Sequence, residues 1–352
     1  VTHSPLISLP AFVSDGGTLD ATLSIGRYLF TGPTGLVQPT FAFNNRPVGP
    51  VLRARPGDTI RITVNNQLAP KPRAPEKRKG TFSGFDKTNL HLHGIHASNN
   101  LPSDDVFLTI KAGESYSYIV QLPPNHQGGT FMYHPHYHGS VAIQTAGMAA
   151  GMLIIEDAPG SLPDEIMALT EIILFFTYYD TPSFRAMSLE YEAVCMEGGV
   201  SAADCDDDIW SEAPEDGPTM FLINGQFQPL ISLAANRWYR WRMASSSASS
   251  VAALTLEGCE MMLLGKDGIY LPTAPRKITK VYIGPGNRGD MAVRCPAGVF
   301  EFQADPIGGS VPMVSQVAAR VEVSDEGDER CSLPTFEVTP PVSHEPCFPA
   351  PT

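Results

Sequence analysis

Positive charge is scarce in this sequence of 352 residues. Lysine and arginine number 24 against 37 aspartates and glutamates, which gives a formal net charge of −13 at pH 7. A protein of that sign repels a phosphate backbone, so we expect no nucleic acid among its partners. Long apolar runs are missing as well, and no stretch reaches the roughly 20 residues of a membrane-spanning helix. We therefore expect no membrane partner either.

The six cysteines include no C-x-x-C pair. Zinc clips and thioredoxin-like redox sites use that spacing, so neither is indicated. The simplest interpretation is three disulfides between cysteines that are close in sequence, Cys195–Cys205, Cys259–Cys295 and Cys331–Cys347. Six buried free thiols are the alternative. Disulfides persist in oxidising compartments, so we expect an extracytosolic protein, either secreted or periplasmic.

Glycine and proline are abundant, at 31 and 32 residues, and the turns that they imply favour short strands over long helices. Residues 59–64 alternate between apolar and polar side chains, as on a half-buried strand. Similar patterns predict strands at 51–55, 106–110, 115–120, 151–156 and 171–177, and a short helix at 141–146. The acidic segment 190–216 is interpreted as a solvated loop insertion. The prediction is an all-β protein.

The sequence also repeats itself. Residues 45–50 recur at 224–229, and the same shift of 179 residues places the pattern of 60–64 on 239–243, with Arg61 falling on Arg240. Such self-similarity predicts two tandem copies of one β-domain. The predicted boundaries are 1–157 for a first domain with the histidines, 164–323 for a second domain without them, and 324–352 for an acidic, proline-rich linker or tail.

Two histidine-rich stretches, 89–96 and 128–139, hold six of the nine histidines. Alternate side chains of an extended strand share a face, so His91 and His93 point the same way. His134, His136 and His138 alternate in the same manner. If the two stretches meet, four or five imidazoles converge without a carboxylate, a set that suits copper or zinc. The alternative is ordinary surface or core histidines.

The two stretches resemble the first copper-binding motifs of the multicopper oxidases, the laccase and copper oxidase family. The family's H-x-H-G motif stands here as His91-Leu92-His93-Gly94, and its H-x-H motif as His134-Pro135-His136. Met132 replaces the bulky aromatic residue that usually precedes the second motif. The resemblance implies two tandem cupredoxin-like domains, each a Greek-key β-sandwich.

By this resemblance, His91 would bind the type 2 copper, and His93, His134 and His136 would bind the type 3 pair. His96 and His138 are possible extra ligands. The family's third domain supplies the remaining ligands through an H-x-x-H-x-H run and an H-C-H run, and this sequence contains neither. A type 1 (blue) copper site is therefore not expected within this chain.

Three functions remain open. In the first, the chain supplies the first-domain half of a trinuclear copper cluster for oxygen-reducing oxidation of a substrate. A third cupredoxin domain, in trans or on a missing C-terminal segment, would complete the cluster, and the chain alone would be inactive. In the second, the chain is a non-catalytic copper-binding protein for storage or delivery. In the third, it is a structural cupredoxin module that has lost catalysis.

Overall fold

The computed structural model describes residues 3–35, 37–70, 84–201, 205, 215, 217–309, 313–325 and 333–337. Its strands, in chain order, are β1 (Ala11–Val13), β2 (Thr18–Thr31), β3 (Val37–Phe43), β4 (Val51–Ala54), β5 (Thr59–Asn66), β6 (His91–His93), β7 (Ser115–Gln121), β8 (Gly129–His134), β9 (Gly151–Ile155), β10 (Thr170–Asp180), β11 (Thr219–Ile223), β12 (Gln226–Phe227), β13 (Leu230–Ala234), β14 (Tyr239–Ser245), β15 (Val251–Leu256), β16 (Glu260–Lys266), β17 (Ile269–Tyr270), β18 (Thr273–Ala274), β19 (Arg276–Ile278), β20 (Val281–Ile283), β21 (Arg288–Arg294), β22 (Gly298–Gly308), β23 (Gln316–Ser324) and β24 (Phe336–Glu337). Its helices are α1 (Val141–Ala146), α2 (Asp164–Met167) and α3 (Thr181–Glu197). Across these ranges, no helix has both the length and the apolar character to cross a membrane. The fold is all-β, as the sequence predicts.

Four large sheets form two equivalent pairs. In the first half of the chain the strand orders are β3-β2-β5-β7 (sheet I) and β1-β4-β9-β8-β6 (sheet II). In the second half they are β12-β11-β10-β14-β21-β16-β17 (sheet III) and β13-β23-β22-β15-β20 (sheet IV). The run β3-β2-β5-β7 corresponds to β11-β10-β14-β21, and β4-β9-β8-β6 corresponds to β13-β23-β22-β15. Parallel and antiparallel pairings occur at the same places in both halves. The repeat seen in the sequence is therefore a repeat of topology, in which β5 and β14 are equivalent strands.

The four sheets stack as layers. Ile60 and Leu92 belong to the core between sheets I and II, and Trp241 belongs to the core between sheets III and IV. A third apolar cluster, which contains Met132 and Phe175, joins the outer face of sheet II to the outer face of sheet III. Strands β8, β9 and β14 are consequently buried on both faces.

Helix α3 corrects one expectation. The acidic segment 190–216, interpreted as a solvated loop, begins inside this helix. Tyr191 is fully buried and stacks on Phe85 of the first domain, with ring centroids 4.5 Å apart. The loop interpretation is wrong for residues 190–197 because one side of the segment packs on the first core, whatever its average charge. The predicted boundary at residue 157 stays a prediction, and α3 contacts the first domain across it.

A predicted strand at 106–110 is also wrong. Of its residues only Ile110 pairs, through a single bridge to Thr88. The Asp105 side chain accepts a hydrogen bond from the Phe107 N–H at 2.8 Å, which closes a local turn. Such a side-chain bond takes an amide that a strand ladder would need. The other predicted strands and helix α1 are present.

Two of the three predicted disulfides are confirmed. Cys195–Cys205 closes the end of α3 with a Cα–Cα distance of 5.7 Å. Cys259–Cys295 lies in the second domain with a Cα–Cα distance of 4.3 Å. The pair Cys331–Cys347 lies outside the described residues, as does most of the predicted tail at 324–352.

Candidate metal centre

The two histidine motifs lie on neighbouring antiparallel strands. In the register of β6 and β8, His91 is opposite His134 and Leu92 is opposite Tyr133. Directly opposite residues share one face of a sheet. Leu92 and Tyr133 point into the first core, so His91, His93 and His134 share the outer face, which is turned toward the second domain.

The imidazoles of His91, His93 and His134 converge. The Nδ1 atom of His93 is 3.2 Å from the Nε2 atom of His134. One nitrogen from each of His91, His93 and His134 lies within 4.8 Å of the other two. Metal–imidazole bonds are about 2.0–2.1 Å long for zinc, so a nitrogen pair 3.2 Å apart suits two ligands of one ion.

His136 joins the group from the segment just after β8. Its ring centroid lies 5.2 Å from that of His91 and 5.9 Å from that of His134. Its Nδ1 atom is buried and has no hydrogen-bond partner among the described residues. A buried polar atom without a partner is costly unless a further ligand satisfies it, which supports a metal at this place.

Hydrogen bonds to oxygen atoms fix two of the rings. The Nδ1–H of His91 donates to the Asp104 carboxylate at 2.9 Å, and the Nδ1–H of His134 donates to the Pro135 carbonyl at 2.8 Å. Each bond leaves the Nε2 lone pair of its ring free, which is the arrangement that metal-binding histidines use. The His136 backbone is held separately, because its N–H donates to the Asn89 side-chain oxygen at 2.6 Å.

The electrostatic environment of His93, His134 and His136 favours the neutral form of these three rings. Burial lowers the pKa of His93 to about 4, and the Arg288 guanidinium acts in the same direction. Burial also lowers the pKa of His134 to about 3. The pKa of His136 is lowered by burial and then by His91. An ordinary histidine has a pKa near 6.5, so at neutral pH these rings keep the lone pairs that a metal requires.

The two possible extra ligands, His138 and His96, have different surroundings. His138 is exposed, with its ring 5.8 Å from the ring of His136 and 5.8 Å from that of Phe107. His96 packs beside His126, a residue that the sequence patterns did not single out, with ring centroids 5.3 Å apart. The His126 Nε2 atom accepts from the His96 N–H, so this second pair connects two loops.

A buried ionic cluster anchors β8 to the second domain. Arg240 donates through Nε to Asp290 at 2.7 Å and through Nη1 to Asp157 at 2.8 Å. Thr130 donates its hydroxyl to Asp290 at 3.0 Å. Thr130 lies on the same face of β8 as His134, so the cluster holds the strand that carries this imidazole.

The sequence predicted the clustered imidazoles but none of the residues that hold them. Asp104 and Asn89 form hydrogen bonds with histidines from loop positions, and the charge of Arg288 acts on His93 from the second domain. Within the group of four histidines, every atom that could bind a metal is an imidazole nitrogen. Such a set fits copper or zinc and is poor for magnesium or calcium.

Comparison with known proteins gives consistent results. Residues 84–160 and residues 200–316 each match a sequence model of a family described as multicopper oxidase, and together the matches cover more than half of the chain. Laccase-4 of Thanatephorus cucumeris is 26% identical over 265 residues, which are 72% of this chain and 44% of that protein. The laccase of Cryphonectria parasitica is 24% identical over 270 residues, which are 74% of this chain and 39% of that protein. The chain thus spans less than half the length of these curated relatives.

Solved structures show the same fold. The multicopper oxidase from Campylobacter jejuni, described as a metallo-oxidase, has a TM-score of 0.65 at 20% identity, over 98% of this chain and 64% of that chain. The laccase from Pediococcus acidilactici has a TM-score of 0.68 at 16% identity, over 100% of this chain and 67% of that chain. Both halves of the present chain are therefore cupredoxin-like β-sandwiches, as the sequence predicts.

Proposed function

Because this chain belongs to the multicopper oxidase family, we propose that its clustered histidines supply the first-domain half of a trinuclear copper cluster. The observation that carries the proposal is the 3.2 Å separation of the His93 and His134 nitrogens. The unpartnered Nδ1 atom of His136 supports it from a third ring. In this proposal His91 serves the type 2 copper, and His93, His134 and His136 serve the type 3 pair.

The residues of this chain orient the ligands before any metal arrives. Asp104 fixes the tautomer of His91, and the Pro135 carbonyl fixes that of His134. Thr145 donates its hydroxyl to the same carbonyl at 3.3 Å. Copper bound by these rings would supply the single-electron steps of dioxygen reduction. The remaining ligands would come from a third cupredoxin domain, either in trans or on a segment not included in this chain.

A non-catalytic role in copper storage or delivery is the second candidate. One observation favours it: each of the four described cysteines is bound in a disulfide, so none offers the thiolate of a blue copper site. Without that thiolate, no relay of electrons to the cluster is formed by the described residues. The same two disulfides support an extracytosolic location, which we also propose.

Titration of the purified chain with copper tests the proposal. We expect copper to bind, with weak visible colour, and oxygen uptake near background with either a phenolic donor or cuprous ion. Colour and uptake should rise together when a third cupredoxin domain with the H-C-H motif is added. The matched control is the double variant His93→Gln/His134→Gln, in which copper binding should be lost.

Each outcome decides a separate part of the proposal. Absence of copper binding would overturn the half-cluster assignment. Copper binding that gains no uptake with the added domain would favour storage or delivery. An intense blue band with steady oxygen reduction by the chain alone would show that its redox site lies elsewhere.

A further inference from the structure

We propose that the second-domain loop 284–288 positions the His93 ring of the metal centre, so that the domain without ligands helps to build the site. This inference rests on the proposed copper-binding role of His93. It follows from the contacts of the His93 ring, which differ from those of the His91 and His134 rings.

His93 has no hydrogen bond to a carbonyl or carboxylate among the described residues. His91 donates to Asp104 and His134 donates to Pro135, whereas the polar contact of the His93 ring among the described residues is the 3.2 Å approach of its Nδ1 atom to the His134 Nε2 atom, a fellow ligand of the proposed metal. Metal-binding histidines commonly take their orientation from a partner outside the metal's ligand set. For His93 that role must fall to packing.

The packing partner is Gly286. A Cβ atom added to Gly286 would lie 2.4 Å from Cε1 of His93 and within 3.3 Å of both ring nitrogens. The glycine backbone therefore lies directly against the edge of the ring, with no room for a side chain. Gly286 has a φ of +66°, a conformation that glycine adopts without strain.

Hydrogen bonds fix the conformation of the loop 284–288, which packs against the His93 ring. The Gly286 N–H donates to the Ser245 carbonyl at 3.0 Å, which ties the loop to the end of β14. The Gly284 N–H donates to the Asn287 side chain at 2.9 Å. The Gly286 carbonyl in turn accepts from Nη1 of Arg288 at 2.7 Å. These bonds brace the loop on both sides of Gly286.

Arg288 also packs the loop against the residue that follows the histidine strand. Its Nη2 donates to the Asp267 carbonyl at 2.8 Å. A Cβ atom added to Gly94 would lie 2.3 Å from that same Nη2. The guanidinium of Arg288 thus packs directly against Gly94, the glycine of the H-x-H-G motif, which is one residue after His93. The loop therefore packs against the first domain at two adjacent places, the His93 ring and Gly94.

Gly286→Ala in the full chain is the test, with Gly16→Ala as its matched control. Gly16 has a φ of +54° and no atom within 4 Å of an added Cβ. Gly16→Ala therefore introduces backbone strain at a positive φ without a new contact to any ring. In the metal-free protein we expect the His93 ring resonance, assigned by its loss in His93→Gln, to move in Gly286→Ala and to stay in Gly16→Ala. Copper affinity, measured by competition with a chromophoric chelator, should fall about tenfold or more only in Gly286→Ala.

A folded Gly286→Ala variant with the parent's ring resonance and the parent's copper affinity would overturn the inference. If Gly286→Ala does not fold, Arg288→Met, which removes the bond to the Gly286 carbonyl, is judged by the same two measurements. If the parent chain binds no copper, the proposed function fails. The ring resonance of the metal-free protein then decides the positioning role by itself.

Discussion

A single carboxylate, that of Asp104, connects the first histidine motif to the loop that follows it. One of its oxygens accepts from the His91 Nδ1–H at 2.9 Å, and the other accepts from the Leu92 N–H at 3.0 Å. The side chain is only 10% exposed, so both bonds are largely shielded from water. Asp104 therefore sets the tautomer of His91 and the position of its strand at the same time.

Asp104→Asn should weaken copper binding by about ten- to a hundredfold. The two donors meet different oxygens of the carboxylate, and in an amide one of those positions is an NH2 donor, so either the His91 Nδ1–H or the Leu92 N–H loses its acceptor. The control is Asp105→Asn, because the neighbouring carboxylate accepts from the Phe107 N–H and an amide oxygen can still do so. A chelator competition assay measures both variants. Equal affinities for the two would contradict the role given to Asp104.

For single residues, the sequence predicted the relative positions of side chains on one regular strand. It missed the residues that reach the site from elsewhere in the fold. The alternation of His91 and His93 placed both rings on one face, and the structure has them there. Asp104 lies in the loop after β6, and Gly286 comes from the second domain. No periodicity connects such residues to the motif, so their contacts became known only from the fold.

The alternating pattern that predicts a strand was clearest where the two faces of the strand differ. Strand β5 is buried on one face and open on the other, and its alternation was plain in the sequence. Its equivalent β14 is buried throughout, and only the repeat identified it. Strand β2, with 14 residues, is the longest strand of the first domain, yet it is not among the strands that the sequence patterns above predict. Leu29 near its end is 65% exposed, so that part of the strand has no core to enforce a pattern.

The two confirmed disulfides should differ in their contribution to stability. In the chain-entropy description a longer closed loop gives the larger effect. The Cys195–Cys205 pair is 10 residues apart and should contribute about 3 kcal/mol. The Cys259–Cys295 pair is 36 residues apart and should contribute about 4 kcal/mol. Urea unfolding of the double alanine variants measures both, and the reverse order would contradict the loop-length argument.

Across the whole molecule, the face of sheet III that is turned away from its own core is covered by the first domain. The repeat equates Arg61 with Arg240, but Arg61 is exposed on β5 and Arg240 is 2% exposed at the domain junction. The sequence predicted the equivalence of the two positions. It could not predict their burial, because burial depends on how the two copies pack on each other.

This pair of arginines offers a matched test of the junction. Arg240→Met should lower the free energy of unfolding by about 3–5 kcal/mol, because it leaves the carboxylates of Asp157 and Asp290 buried with one cation fewer. Arg61→Met, at the equivalent exposed position, should change it by less than about 0.5 kcal/mol. Denaturant unfolding monitored by circular dichroism compares them. Similar losses in both variants would mean that the ionic cluster does not stabilise the junction.

Part of the first domain's core is encoded after that domain's last strand. Strand β9 ends at Ile155, whereas Phe184 and Tyr191 of α3 belong to the same apolar cluster as the strands before it. At roughly 5–20 residues per second, a ribosome needs a few more seconds to deliver them. A nascent chain that has emerged only through β9 therefore exposes apolar surface that its second half later covers, and during that interval it is a natural client for chaperones.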